Sequence, residues 1–202
     1  VQLNAIPPLH PLYGPDGKYN PNTLYYNNLI EQEGSSNSNT TYRSISNINA
    51  TVNITPKLNF TSQLGLDWIN LHEEQFLGKE TLDGAPSGSS YDGVTMSTVF
   101  TSTNTFNYRS TFGDNHAFEA LAGMEYQSGN TKANNVTGIA FPSDKFTKIA
   151  SAAIIQSGSS SETEFAFVSY FARANYKFKD RYLFGASYRV DGSSRFGADN
   201  RY

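Results

Sequence analysis

Apolar and polar residues alternate along several stretches of the chain, and the clearest example lies near its C-terminal end. In SYFARANYKFKDRYLFGASYRVDG (169–192), tyrosine, phenylalanine, alanine and valine fill most even positions, and polar residues fill most odd ones. Because successive side chains of a β-strand point to opposite faces, this pattern predicts two strands with one apolar face each. The short polar sequence between them predicts a tight hairpin turn.

The same alternation predicts four earlier strands, which makes six in all. They span 41–55, 57–71, 98–112 and 117–128. No segment shows a helical period, so the predicted fold class is all-β. Residues 1–39, rich in proline, glycine and asparagine, are predicted to form a long loop of extracellular type, and 40–202 to form the strands.

The connections between these strands alternate in length. TPK, GDNH and KD are short turns, whereas 72–97 and 129–163 are long and polar. Short turns at one end of a sheet and long loops at the other are typical of transmembrane β-barrels. The predicted strands of about 12 to 15 residues exceed the roughly 9–11 that cross a bilayer. We therefore expect antiparallel up-and-down strands that form part of a large transmembrane β-barrel. The alternative is a soluble all-β sandwich that serves as a binding or adhesin module.

The distribution of side chains on the two predicted faces favours the barrel. Large aromatic residues stand near strand ends and small alanines near strand centres, as in the aromatic girdle at a membrane interface. The predicted lipid-facing girdle comprises Trp68, Phe112, Phe118, Tyr176, Phe178 and Tyr182. The opposite face is predicted to line a watery lumen through Asp67, Glu119, Glu125, Arg173, Lys177 and Arg189.

Composition and motifs narrow the functional classes. The net charge of −3 and the lack of a basic run argue against nucleic-acid binding. The chain contains no cysteine and three histidines, and the histidines form no HxH or HExxH pair. With no nucleophile elbow or phosphate-binding loop either, we expect no enzyme activity, no cofactor and no metal site.

The C-terminal sequence SYFARANYKFKDRYLFGASYRVDGSSRFGADNRY (169–202) resembles a stretch of the SusC/RagA family of TonB-linked outer-membrane transporters. The family pattern is S-Y-F-G-R-x-N-Y-x-Y-K-D-R-Y-L-L-x-A-S-x-R-x-D-G-S-S-R-F-G-x-x-N-R-Y, and this chain departs from it at Ala172, where glycine is common. TYRSISNINATVNITPKLNFTSQLGLDW and NTFNYRSTFGDNHAFEALAGMEYQ resemble two further strand pairs of the family more weakly.

The resemblance implies a barrel of about 22 strands with a plug in its lumen. Such a transporter sits in outer-membrane lipid of a Gram-negative, Bacteroidetes-type cell and imports oligosaccharides, glycans or peptides. Its implied partners are TonB and a SusD-like lipoprotein lid. Six strands are fewer than the roughly eight of the smallest usual membrane barrels. The chain is therefore expected to be a fragment without the plug and the remaining strands.

Overall fold

A computed structural model describes residues 11–23 and 27–197 of the 202-residue chain. Its main feature is one six-stranded antiparallel sheet in which each strand pairs with its neighbours in sequence. The strands are β1 (Ser35–Thr55), β2 (Leu58–Leu77), β3 (Ser89–Phe112), β4 (His116–Ile139), β5 (Ile154–Phe178) and β6 (Tyr182–Ser193). A short helix, α1 (Asn28–Gly34), precedes β1, and a 3₁₀ turn covers Ile149–Ser151. The predicted all-β, up-and-down fold is confirmed.

Several observed strands are longer than the predicted ones. The two long connections are 78–88 and 140–153, where the sequence predicts 72–97 and 129–163. Strand pairing continues into the segments predicted as loops, where polar side chains form hydrogen bonds with one another across neighbouring strands. Ser160 Oγ, for example, donates a hydrogen bond to Asn134 Oδ1 at 2.7 Å. Such segments carry polar residues on both faces, so they lack the alternation that identifies a strand, and predicting them as loops was wrong.

The segment predicted as a loop over 1–39 also contains regular structure, namely α1 and the first residues of β1. The Asn27 side chain caps α1 by accepting a hydrogen bond from the Leu29 N–H at 3.2 Å. The same side chain donates to the Leu12 carbonyl at 2.9 Å, and Ile30 buries the inner face of the helix. A seven-residue helix held by a cap and one apolar side chain is too short to show a period. None of the described helices is long and apolar enough to cross a membrane.

The hairpin that joins β5 and β6 contains the predicted tight turn. Lys179 and Asp180 have positive φ angles of 51° and 53°, and the Arg181 N–H donates to the Phe178 carbonyl at 3.0 Å. These values describe a type I′ turn, whose twist matches that of the flanking strands. Even positions therefore face even positions across the pair: Tyr170 opposite Val190, Ala174 opposite Ala186 and Phe178 opposite Tyr182.

The chain divides into two compact units. Unit 1 comprises Val1–Thr41, Leu71–Thr95 and Ala133–Ser161. It holds the apolar side chains that are buried in the described part of the chain, which are Ile30, Phe76 and Phe141. The rings of Phe76 and Phe141 meet edge to face with their centroids 5.3 Å apart. Unit 1 therefore has a small apolar core of its own.

Unit 2 comprises Tyr42–Asn70, Met96–Lys132 and Glu162–Tyr202. Among its described residues, no large apolar side chain is buried. Unit 2 is thus a sheet whose two faces are both uncovered within the described chain, and its chemistry lies on those two faces.

Candidate functional site

One face of unit 2 is an apolar band made of the even-numbered residues of its strands. Ring contacts across neighbouring strands confirm the shared face: the centroids of Phe60 and Phe106 lie 4.9 Å apart, and those of Tyr108 and Phe118 lie 6.3 Å apart. The band includes Ile48 and Val52 of β1, Phe60, Leu64, Leu66 and Trp68 of β2, Phe100, Phe106 and Tyr108 of β3, Phe118, Met124 and Tyr126 of β4, and Tyr170, Tyr176, Phe184 and Tyr188 of β5 and β6. Many members are strongly exposed, up to 71% for Tyr188. Polar Ser62, Ser102 and Asn104 stand among them, and Asn104 Nδ2 donates a hydrogen bond to Ser102 Oγ at 3.1 Å. An exposed surface this rich in apolar side chains marks a site of contact with a membrane or another protein.

The apolar band ends in a polar rim on the same face of β4 and β5. Asn130 Nδ2 donates hydrogen bonds to Glu162 Oε1 at 2.6 Å and to Glu164 Oε1 at 2.8 Å. Lys132 Nζ lies 3.1 Å from Glu162 Oε1. A charged cluster of this kind belongs in contact with water and not with an apolar environment. The rim therefore marks one limit of the apolar surface.

The height of the apolar band can be estimated on β2. The ten steps from Leu58 to Trp68 cover about 33 Å along the strand at about 3.3 Å each. Strands of membrane barrels tilt by about 40°, which reduces this length to about 25 Å in height, the thickness of the apolar band of outer-membrane barrels.

The six predicted girdle residues all lie on the face of the apolar band. Phe178 and Tyr182 stack with centroids 6.3 Å apart, and Lys57 Nζ lies 5.8 Å from the centroid of Phe112. Trp68 is half-buried. The sequence missed one member of this surface, His116, which it assigns to a turn. His116 begins β4, and its Nδ1 lies 2.6 Å from the Tyr176 hydroxyl, close enough for a hydrogen bond.

We expect Tyr176→Phe to lower the free energy of unfolding of the full-length protein by about 1 kcal/mol, because the His116 ring nitrogen loses its partner. The measurement is urea unfolding of the protein in lipid vesicles. Tyr182→Phe is the matched control, since the Tyr182 hydroxyl has no hydrogen-bond partner among the described residues. Equal losses in the two variants would contradict the prediction.

The opposite face of unit 2 is polar and carries the six predicted lumen residues. Five of the six are paired. Asp67 accepts two hydrogen bonds from Arg43, at 2.7 and 3.0 Å. The other ion pairs are Arg109–Glu119 at 2.7 Å, Lys177–Asp180 at 2.7 Å, Arg189–Asp191 at 2.7 Å and Arg189–Glu125 at 3.6 Å. These partly exposed pairs contribute little stability, so the face is a hydrated surface and not a polar core.

A groove of about 530 Å³ opens on this polar face. Its lining includes the amide side chains of Asn59, Asn107 and Asn175 together with Arg109 and Arg173. Asn107 Nδ2 donates to Asn59 Oδ1 at 3.0 Å. Arg173 makes no ion pair with a described residue, so its guanidinium is available to a group from outside the segment. The groove thus presents donors and acceptors to polar molecules.

Phenylalanines of β5 interrupt the polar face, and two of them pack over a strand glycine. Phe165 covers Gly129 and Phe171 covers Gly123; a Cβ on either glycine would meet the ring within 2.2 and 2.5 Å, respectively. Arg195 lies over the Phe165 ring at 5.3 Å, and Arg189 over the Phe171 ring at 5.8 Å. The glycines in mid-strand were the available sequence signal, since they mark a close approach of another group.

Proteins similar to this chain in sequence are named TonB-dependent receptors. A TonB-dependent receptor of Formosa agariphila is 34% identical over 156 residues, which cover 74% of this chain and 15% of the receptor. A second TonB-dependent receptor of that organism is 29% identical over 223 residues, covering 98% of this chain and 21% of the receptor. The TonB-dependent receptor SusC of Bacteroides thetaiotaomicron is 42% identical over 59 residues, which are 29% of this chain and 6% of SusC. No family model matches the chain.

Solved structures agree in fold. A chain of the RagAB peptide transporter matches with a TM-score of 0.82 and 22% identity over 92% of this chain and 22% of that chain. The RagAB peptide importer in its closed-closed state matches with a TM-score of 0.83 and 22% identity over 97% of this chain and 23% of that one. The sequence relatives confirm the predicted resemblance to the SusC/RagA family, and the solved structures confirm the predicted fold class of antiparallel up-and-down strands. The chain spans about a fifth or less of the length of the curated relatives it matches.

Proposed function

We propose that the chain forms part of the barrel wall of an outer-membrane importer. This proposal rests on its similarity to TonB-dependent receptors of the SusC/RagA type. The apolar band faces lipid, and the polar face lines the lumen. The observation that carries this proposal is the exposed apolar band with its polar rim and its height of about 25 Å, which suits the hydrocarbon layer of an outer membrane. In water the same surface would drive aggregation.

The edges of the sheet support the same proposal. Among the described strands, β1 pairs only with β2, and β6 only with β5, so each keeps one open edge. Open edges are not tolerated in bilayer hydrocarbon, because their N–H and C=O groups would lack partners. Further strands of a longer protein close the barrel at both edges. A soluble sandwich would need a second sheet over the apolar band, and no described residue covers it.

The segment acts as a wall and carries out no catalysis itself. In the full-length protein, oligosaccharides, glycans or peptides pass along a lumen to which the polar face contributes. Arg173 and the amide-lined groove beside it suit hydrated molecules of this kind. TonB supplies the energy through a part of the protein outside this segment, and a SusD-like lipoprotein closes the outer opening.

Deletion of the gene that encodes the full-length protein tests the proposed function. We expect the deletion strain to stop importing one class of cargo from a panel of labelled oligosaccharides and peptides, and a strain without TonB to show the same defect. Restoring the gene should restore uptake. Unchanged uptake of the whole panel, or recovery of the intact protein from the soluble fraction, would overturn the proposal.

A further inference from the structure

Unit 1 brings together three side chains whose atoms are typical metal ligands. His72 and Glu74 alternate on β2, and Asp92 lies beside them on β3. One ligand atom from each lies within 4.8 Å of the others. The three side chains are only about one-third exposed. The sequence predicts no metal site, because metal-binding motifs such as HxH and HExxH place their ligands close together along the chain, whereas this cluster forms across two strands.

The separation of His72 and Asp92 matches the geometry of zinc coordination. His72 Nε2 lies 3.4 Å from both carboxylate oxygens of Asp92. A strong hydrogen bond between these groups would be about 2.7–2.9 Å long. Ligands of a tetrahedral Zn²⁺ at about 2.0–2.1 Å from the metal are instead about 3.4 Å apart. Two of the three ligands thus already stand at the distance that one shared metal ion requires.

The third ligand, Glu74, is engaged in an ion pair with an exposed lysine, which a metal ion can displace. Lys148 Nζ forms an ion pair with Glu74 Oε1, and the lysine side chain is 71% exposed. Lys148 belongs to the 140–153 connection and precedes the 3₁₀ turn. An exposed ion pair of this kind contributes little, so a divalent ion can displace the ammonium group. Released from Lys148, the Glu74 carboxylate has only a short distance to move toward the other two ligands.

We propose that His72, Glu74 and Asp92 bind a divalent transition-metal ion, with Zn²⁺ as the best fit. The imidazole nitrogen favours zinc over calcium or magnesium, which prefer all-oxygen sites. Three protein ligands leave one tetrahedral position for water. The bound ion replaces Lys148 as the positive charge at Glu74 and joins β2 to β3. This site is independent of the transport proposal, since it needs neither cargo nor membrane.

The test is zinc binding by the full-length protein in detergent. The protein is stripped with a chelator, dialysed against Zn²⁺ and analysed for bound metal. We expect His72→Gln and the isosteric Asp92→Asn each to bind one zinc ion fewer than the unchanged protein. His116→Gln is the matched control and should bind the same amount. Lys148→Met, which removes the competing cation, should lower the zinc dissociation constant about two- to fivefold.

A second measurement requires no variant. Diethyl pyrocarbonate modifies exposed imidazoles, and mass spectrometry locates the product. We expect Zn²⁺ to protect His72 from modification in the unchanged protein. Equal zinc content in the unchanged protein, His72→Gln and Asp92→Asn would overturn the proposal, and so would modification of His72 at the same rate with and without zinc.

Discussion

Leu64→Arg is expected to strongly reduce the amount of full-length protein that folds into the outer membrane, whereas Gln63→Arg is expected to leave it nearly unchanged. Leu64 stands near the middle of the apolar band on β2 and is 42% exposed. An arginine that faces lipid at the bilayer midplane costs about 2–4 kcal/mol. Gln63 is the preceding residue, and its side chain lies on the polar face. The same new charge there meets water.

Both variants carry the same substitution in the same strand, so differences in expression or strand propensity cancel. The measurement is the folded fraction in isolated outer membranes, from the shift in gel mobility between heated and unheated samples. A complementary value comes from the urea midpoint of the protein refolded in vesicles. If Gln63→Arg were the damaging variant, the two faces would be assigned the wrong way round. Equal effects of both would remove the case for a lipid-facing band.

The alternation of side chains was sufficient to predict the faces of the sheet. Arg173 and Tyr176 differ in parity, and because β5 pairs with β6 without a bulge between them, they lie on opposite faces. The tight turn at Lys179 and Asp180 was equally visible, because a short polar sequence between two alternating runs leaves few other geometries. These features depend on neighbours along the chain, which is why the sequence reveals them.

Features that depend on distant residues were not predictable. The extension of β4 and β5 rests on contacts such as Asn134 with Ser160, which are 26 residues apart. His72 and Asp92 are 20 residues apart, and only the pairing of β2 with β3 brings them together. Polar residues on both faces give no periodic signal. The sequence therefore underestimated both the strand lengths and the chemistry of unit 1.

Gly129→Val is expected to lower the free energy of unfolding by about 1–3 kcal/mol, because it overfills a closely packed contact. A Cβ at this position would lie 2.2 Å from a ring carbon of Phe165. The ring must leave the strand backbone that it covers, and its contact with Arg195 is lost as well. Valine otherwise suits a strand, so the expected loss arises from this contact and not from β-propensity. Gly158→Val in β5 is the matched control, since a Cβ added there would meet only a backbone oxygen of Asn135, at 3.5 Å.

The double variant Gly129→Val/Phe165→Ala separates steric conflict from general damage. If the valine collides with the ring, removing the ring must relieve the conflict, and the double variant will be more stable than the sum of the single losses by about 1 kcal/mol or more. Urea unfolding of the four proteins in vesicles provides the cycle. Additive losses, or a Gly129→Val loss no larger than that of Gly158→Val, would show that the ring does not depend on the glycine. A positive coupling would mean that the Phe165 ring and the bare backbone of Gly129 stabilise each other, as an aromatic side chain does when it covers a strand glycine.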